Sequence, residues 1–152
     1  MGRVVAIHIA SKPGDAPFEI SEASLVPGRG IEGDRKYLAA GEKGLEEPGT
    51  AVTFIEAEAL AAIRHESDIE LSAAASRRNV LTERVALNHL VGRRFRVGET
   101  ELEGFELCEP CRYLQELNGI PNLVSALLHR GGLRARIVKG GTIRPGDPIE
   151  EL

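Results

Sequence analysis

The chain has 152 residues, 42% of them hydrophobic and 28% charged, with a formal net charge of -4, one Met and no Trp. Its length suits a single domain over residues 1–152 that buries a core of Val, Leu, Ile and Ala without disulfide staples. The acidic balance argues against a general nucleic-acid binder, and no apolar run is long enough to cross a bilayer.

Arg3 to Ile9, rich in β-branched residues, reads as a buried strand. It has none of the charged head, long apolar stretch and cleavage site of a secretory signal, so a cytoplasmic location is expected. Glu22 to Val26 reads as a short strand ended by Pro27-Gly28-Arg29-Gly30, and Lys43 to Thr50 as a loop long enough to move or to cover a site. Ala51 to Ile55 is a strand. Glu56 to His65 is a helix whose acidic start and Arg64-His65 end suit the helix dipole. Asn79 to Thr82, Arg94 to Val97, Glu101 to Leu107, Arg134 to Val138 and Thr142 to Ile149 supply further strands, with a helical turn around Leu87 to Val91. Pro110 starts a helix that carries Cys111 in its first turn and stops at Asn118-Gly119. Another runs from about Asn122 to His129 and is closed by a glycine cap at Gly131-Gly132. Many short strands, frequent glycine turns and brief helices predict a mostly β barrel or rolled sheet with short helices, of the α+β kind. A doubly wound parallel sheet is disfavoured because long helices do not alternate with the strands.

Both cysteines lie in Cys108-Glu109-Pro110-Cys111. Thiolate is the reactive form of cysteine, and a helix start with Arg112 beside it favours that form. In a chain without a secretory signal, a close pair points to catalysis, redox chemistry or metal binding; the plain alternative is an inert buried thiol. Arg77 and Arg78, beside Asn79, form a candidate anion clamp, because guanidinium grips oxyanions through a planar fork. Arg35 is a candidate assistant, Asp34 orients an arginine, and Gly33 lets backbone approach a ligand or simply makes a turn. Arg84, Arg93, Arg94 and Arg96 read as a solvated strand face. His8, His65, His89 and His129 share no metal-ligand spacing, and His8 reads as a satisfied core residue. One cysteine pair is only half of a zinc signature.

Five segments stand in an order that resembles the MOSC family, the domain named for the C-terminal part of molybdenum cofactor sulfurase. They are Gly30-Ile31-Glu32-Gly33-Asp34-Arg35-Lys36, Ser76-Arg77-Arg78-Asn79-Val80-Leu81-Thr82, Leu90 to Gly98, Cys108 to Leu114, and Gly132 to Asp147. The resemblance implies a β-barrel-like fold with a cleft for molybdenum-pterin cofactor (molybdopterin) or a related anionic small molecule. It also implies one cysteine that carries sulfur as a persulfide or ligates molybdenum, and Cys111, after its proline, is the match. Lys36 stands where relatives often have His, which keeps positive charge but supplies no neutral imidazole. No aminotransferase-like desulfurase domain is present, so no pyridoxal phosphate site is expected and sulfur would come from a separate desulfurase or pass to a molybdenum enzyme. Neither nucleic acid nor membrane is expected as a partner. Two other readings stand beside this one. The first is thiol-disulfide oxidoreduction by Cys108 and Cys111, for which the βαβ context is missing. The second is a noncatalytic cofactor-binding or delivery module.

Overall fold

The computed structural model describes residues 1–152. In chain order the elements are β1 (Gly2–Ile9), β2 (Phe18–Ile20), β3 (Ala23–Val26), β4 (Gly30–Ile31), α1 (Arg35–Ala40), β5 (Val52–Glu56), α2 (Ala57–Ser67) and β6 (Val80–Glu83). They continue with β7 (Arg94–Val97), β8 (Thr100–Leu107), α3 (Arg112–Asn118), α4 (Leu123–Leu127), β9 (Leu133–Lys139), β10 (Gly141–Ile143) and β11 (Pro148–Glu151). Seven strands in the order β11-β7-β8-β9-β5-β6-β1 close on themselves through a β1–β11 pairing, which makes the barrel that the strand pattern predicts. All neighbours are antiparallel except β5 and β6, whose parallel pairing requires the crossover that α2 provides. β2 extends the sheet outward from β1, and β10-β3-β4 form a separate small sheet.

Alternation along the strands builds the interior. In β9, Leu133, Ala135 and Ile137 are buried while Arg134 and Arg136 turn outward to Glu106 and Glu103. In β7, Phe95 and Val97 point inward, and Phe95 meets Phe54 edge to face at 5.7 Å. Arg93, Arg94 and Arg96 each face a glutamate, so the arginine-rich stretch is an outer face of exposed ion pairs, each contributing under about 1 kcal/mol. A second, smaller core of Ile63, Ile69, Leu71, Leu114, Leu123 and Leu127 fastens α2, α3 and α4 to one another.

The structure departs from the sequence expectations in places where local pattern is a poor guide. The expected strand from Thr142 to Ile149 is two strands in different sheets, broken by a turn in which Gly146 has φ +94°. α3 begins at Arg112, two residues after the expected start at Pro110, so Cys111 is its N-cap rather than a first-turn residue. α4 ends at Leu127, with His129 in the left-handed conformation. Gly131 and Gly132 therefore do not cap it. Their role is close approach: a β-carbon on Gly132 would sit 1.9 Å from the Phe54 carbonyl oxygen, and one on Gly131 2.5 Å from that of Cys108. β2 and α1 were not legible as elements. The Lys43 to Thr50 loop is pinned by Leu45 N–H donating to Gly28 O at 2.7 Å.

Candidate functional site

β1 and β8 finish, and β5, β6 and β9 begin, at the same end of the barrel. There the connections enclose a cavity of about 320 Å³. Arg35 and Lys36 reach it from α1, Thr53 from β5, Arg77 and Arg78 from the turn before β6, and Arg134 from β9. Cys108, Cys111, Tyr113 and Leu114 close one side, and Pro13 and Gly14 of the β1–β2 connection another. Five cationic side chains line this space and no carboxylate does, which gives it a positive lining. Of four larger surface hollows, two, of about 890 and 750 Å³, lie along α2, and none of the four contains a cysteine.

The cations differ in what they have free. Arg78 is buried and spends its fork on backbone: Nε donates to Gly131 O at 2.8 Å, Nη1 to Ser76 O at 3.1 Å and Nη2 to Cys108 O at 2.9 Å. It ties the cysteine segment to the turn before β9, so the expected Arg77–Arg78 clamp is not a pair of equivalent forks. Arg77, held at φ +62°, donates only Nη1, to Asp15 O at 2.7 Å. Burial, followed by the charge of Arg35, lowers its pKa. Arg35 pairs through Nη1 with Asp34 Oδ1 at 3.3 Å. Asp34 is fully buried, accepts Ala10 N–H on the same oxygen at 3.1 Å, and leaves Oδ2 without a partner. Asp34 thus aims Arg35 and stays outside the cavity lining.

Asn79 does not reach the cavity. Its Oδ1 accepts the Thr53 N–H and hydroxyl, both at 3.1 Å, its Nδ2 donates to His8 O, and its N–H donates to Thr53 Oγ1 at 2.9 Å. The residue clasps β1, β5 and β6 where they border the site. Gly33, at φ +88°, makes the turn into α1 and also lies outside the lining. His8 is buried with Nδ1 unpartnered, so it is not the satisfied core histidine expected; burial lowers its pKa.

Two lining cations fall within segments noted in the sequence without being singled out as ligand contacts. Lys36 Nζ donates to Thr50 O at 2.8 Å, and burial, then the charge of Arg35, push it down to about 8 against the opposing pull of Cys108 and Asp34. Arg134 donates to Glu106 at 2.8 Å; burial lowers its pKa, but the charge of Cys108 and hydrogen bonds to Glu106 and Cys108 outweigh that and raise it. The only sequence clue to Arg134 was its outward place in an alternating strand. Cys108 is buried and Cys111 exposed, yet both line the cavity. The cations facing the thiols are those of the cavity; Arg112 does not line it.

No group of three or more His, Cys, Asp or Glu side chains could hold a metal ion. A metal bound by protein ligands alone therefore does not fit. The cavity offers instead two cysteine side chains within a cationic wall. No helix is long and apolar enough to cross a membrane.

The family model for the MOSC domain matches residues 41–150, so Arg35 and Lys36 precede the matched segment. Among solved structures the chain is similar to the YuaD protein from Bacillus subtilis, at 19% identity and a TM-score of 0.80 over 99% of this chain and 96% of that one. It is also similar to YiiM from Geobacillus stearothermophilus, at 15% identity and 0.76 over 100% and 75%. YiiM from Escherichia coli matches at 19% identity and 0.69 over 99% and 69%. At these identities the likeness is one of fold. No curated protein matches.

Proposed function

The chain belongs to the MOSC domain family, and from that premise we propose that its barrel-end cavity binds molybdenum-pterin cofactor or a related anionic ligand, with Cys111 as sulfur carrier or metal-ligating thiolate. The observation that carries this reading is the cavity lining itself: five cations, two thiols and no carboxylate. Its volume lies within the roughly 300–1,000 Å³ common to small-ligand sites.

The free donors of Arg35 and Arg77 are the ones to grip a phosphate or oxo group, because each spends only one terminal nitrogen inside the protein. Lys36 and Arg134 add charge beside Cys108. Arg78 and Asn79 act as positioning residues: one fixes the Cys108 backbone, the other the strand that carries Thr53 and the turn that carries Arg77. When bound, the cofactor would supply a redox-active metal centre. Cys111, exposed at the cavity edge, would present its sulfur to that centre or to an incoming sulfur donor. Sulfur supply by a separate desulfurase, or transfer to a molybdenum enzyme, belongs to the same proposal.

The test is intact and peptide mass spectrometry after incubation with a desulfurase and cysteine, on wild type and Cys111→Ala. The expected result is one labile extra sulfur on Cys111, absent from the variant. A bare Cys111, under conditions that load a control carrier, would overturn the sulfur-carrier role. Ligand binding that survives removal of both thiols would favour a noncatalytic delivery module.

A further inference from the structure

Cys108 is left over by the reading above. It is buried, it is not the cysteine the family motif points to, and it nevertheless faces the same cavity as Cys111. Its surroundings are unusual for an inert core thiol. Arg134 and Lys36 line the same cavity beside it, and Arg78 holds its backbone carbonyl at 2.9 Å. Its N–H donates to Gly132 O at 2.7 Å, so its backbone is pinned from both sides. Cys111, three residues on, stands in extended conformation (φ -123°, ψ 165°), and its side chain makes no capping bond that would hold the sulfur away. A fixed buried thiol and an unrestrained exposed one therefore share one cationic space.

We propose that Cys108 is the resolving thiol for sulfur carried on Cys111, which makes the cavity a site that converts persulfide sulfur to hydrosulfide; the inference rests on the sulfur-carrier reading. Cys108 Sγ attacks Cys111 Sγ. The bond between Cys111 Sγ and the carried sulfur breaks, a Cys108–Cys111 disulfide forms, and the outer sulfur leaves as hydrosulfide, taking the proton of the Cys108 thiol. The carried sulfur is reduced by two electrons and the two thiols are oxidised by two. A dithiol reductant then returns the pair to thiols by exchange. The cations that line the cavity, Arg35, Lys36, Arg77 and Arg134 among them, offer positive charge to the departing hydrosulfide. The pair differs from thioredoxin-like ones in having its buried member before the helix and its exposed member at the cap.

The experiment loads wild type, Cys108→Ala, Cys108→Ser and Cys111→Ala with inorganic polysulfide, desalts them, and follows sulfide release together with the peptide masses. Circular dichroism identifies any variant that fails to fold, and the serine variant keeps the volume of the buried site. In wild type, loaded sulfur should leave as sulfide in step with a Cys108–Cys111 cross-linked peptide. Both Cys108 variants should keep the Cys111 persulfide about tenfold longer or more, and should release it on addition of dithiothreitol. Release from both Cys108 variants at the wild-type rate, or wild-type release without the cross-link, overturns the proposal while leaving the sulfur carrier intact. A Cys111 that takes up no sulfur in any variant overturns both.

Discussion

At the scale of single residues, the site is set by which cations keep donors free. Lys36 can also change its charge near neutrality, since burial and Arg35 bring it to about 8. Groups facing it include Asp34 and Cys108, which favour its charged form, and Arg35 and Arg134, which oppose it. Sulfate is a suitable probe because its charge is constant over this range. Its affinity, measured by calorimetry, should fall about fivefold as pH rises through 8, the loss of one nearby charge costing ~1 kcal/mol. Lys36→Met should bind more weakly below pH 8 and show no such step. A step of equal size in the variant would assign the titration to another group. Stability should run the other way: the unfolded lysine, near 10.5, holds its proton where the folded one has lost it, so wild type gains stability from about pH 8 to 10.5. The basic character of the site was legible in Arg35, Arg77 and Arg78. Their division of labour was not, because free and committed guanidinium groups look identical in sequence. Arg78 is separated from the carbonyl of Gly131 by 53 positions, and only the fold brings them together.

At the scale of elements, α3 shows local stability yielding to the site. Ser, Thr, Asp or Asn at an N-cap supplies a side-chain oxygen to the first turn, whereas Cys111 makes no such bond. Cys111→Ser should therefore raise stability by about 0.5–1 kcal/mol, or ~1–4 °C in thermal midpoint, while abolishing sulfur loading. A variant that is both less stable and inactive would mean that the sulfur itself packs the turn. The helix was legible from its apolar spacing and the Asn118-Gly119 stop, and the strands from their alternation. What misled was glycine. Gly131-Gly132 resembles a helix stop, yet its absent β-carbons make room for the Phe54 and Cys108 carbonyls, a contact between segments far apart in sequence. The same limit hid the division of residues 142–149 between β10 and β11, because an apolar pattern does not reveal which sheet a strand joins.

At the scale of the molecule, the strand seam of the barrel lies at one end and the cationic cavity at the other. β11 seals the sheet by pairing Ile149 with both Gly2 and Val97, at the start of β1, whereas the cavity lies beyond the end of β1, where Ala10 N–H meets Asp34. The closure is narrow, since β1 and β11 share only the pairs Gly2↔Ile149 and Arg3↔Pro148. Two effects are joined in β11: burial of Ile149, which is 4% exposed, and removal of two sheet edges. They can be separated. Ile149→Ala deletes the buried side chain and keeps the pairing, so it should cost about 2–4 kcal/mol and leave a soluble protein with unchanged elution on size exclusion. Deleting Pro148–Leu152 removes the pairing too, and leaves β1 and β7 with unpaired N–H and C=O groups that invite association between chains. That variant should lose its cooperative thermal transition and elute as multimers. If it instead unfolded cooperatively at the midpoint of Ile149→Ala, packing alone would account for β11, and closure would add nothing to the platform on which the cationic cavity is built.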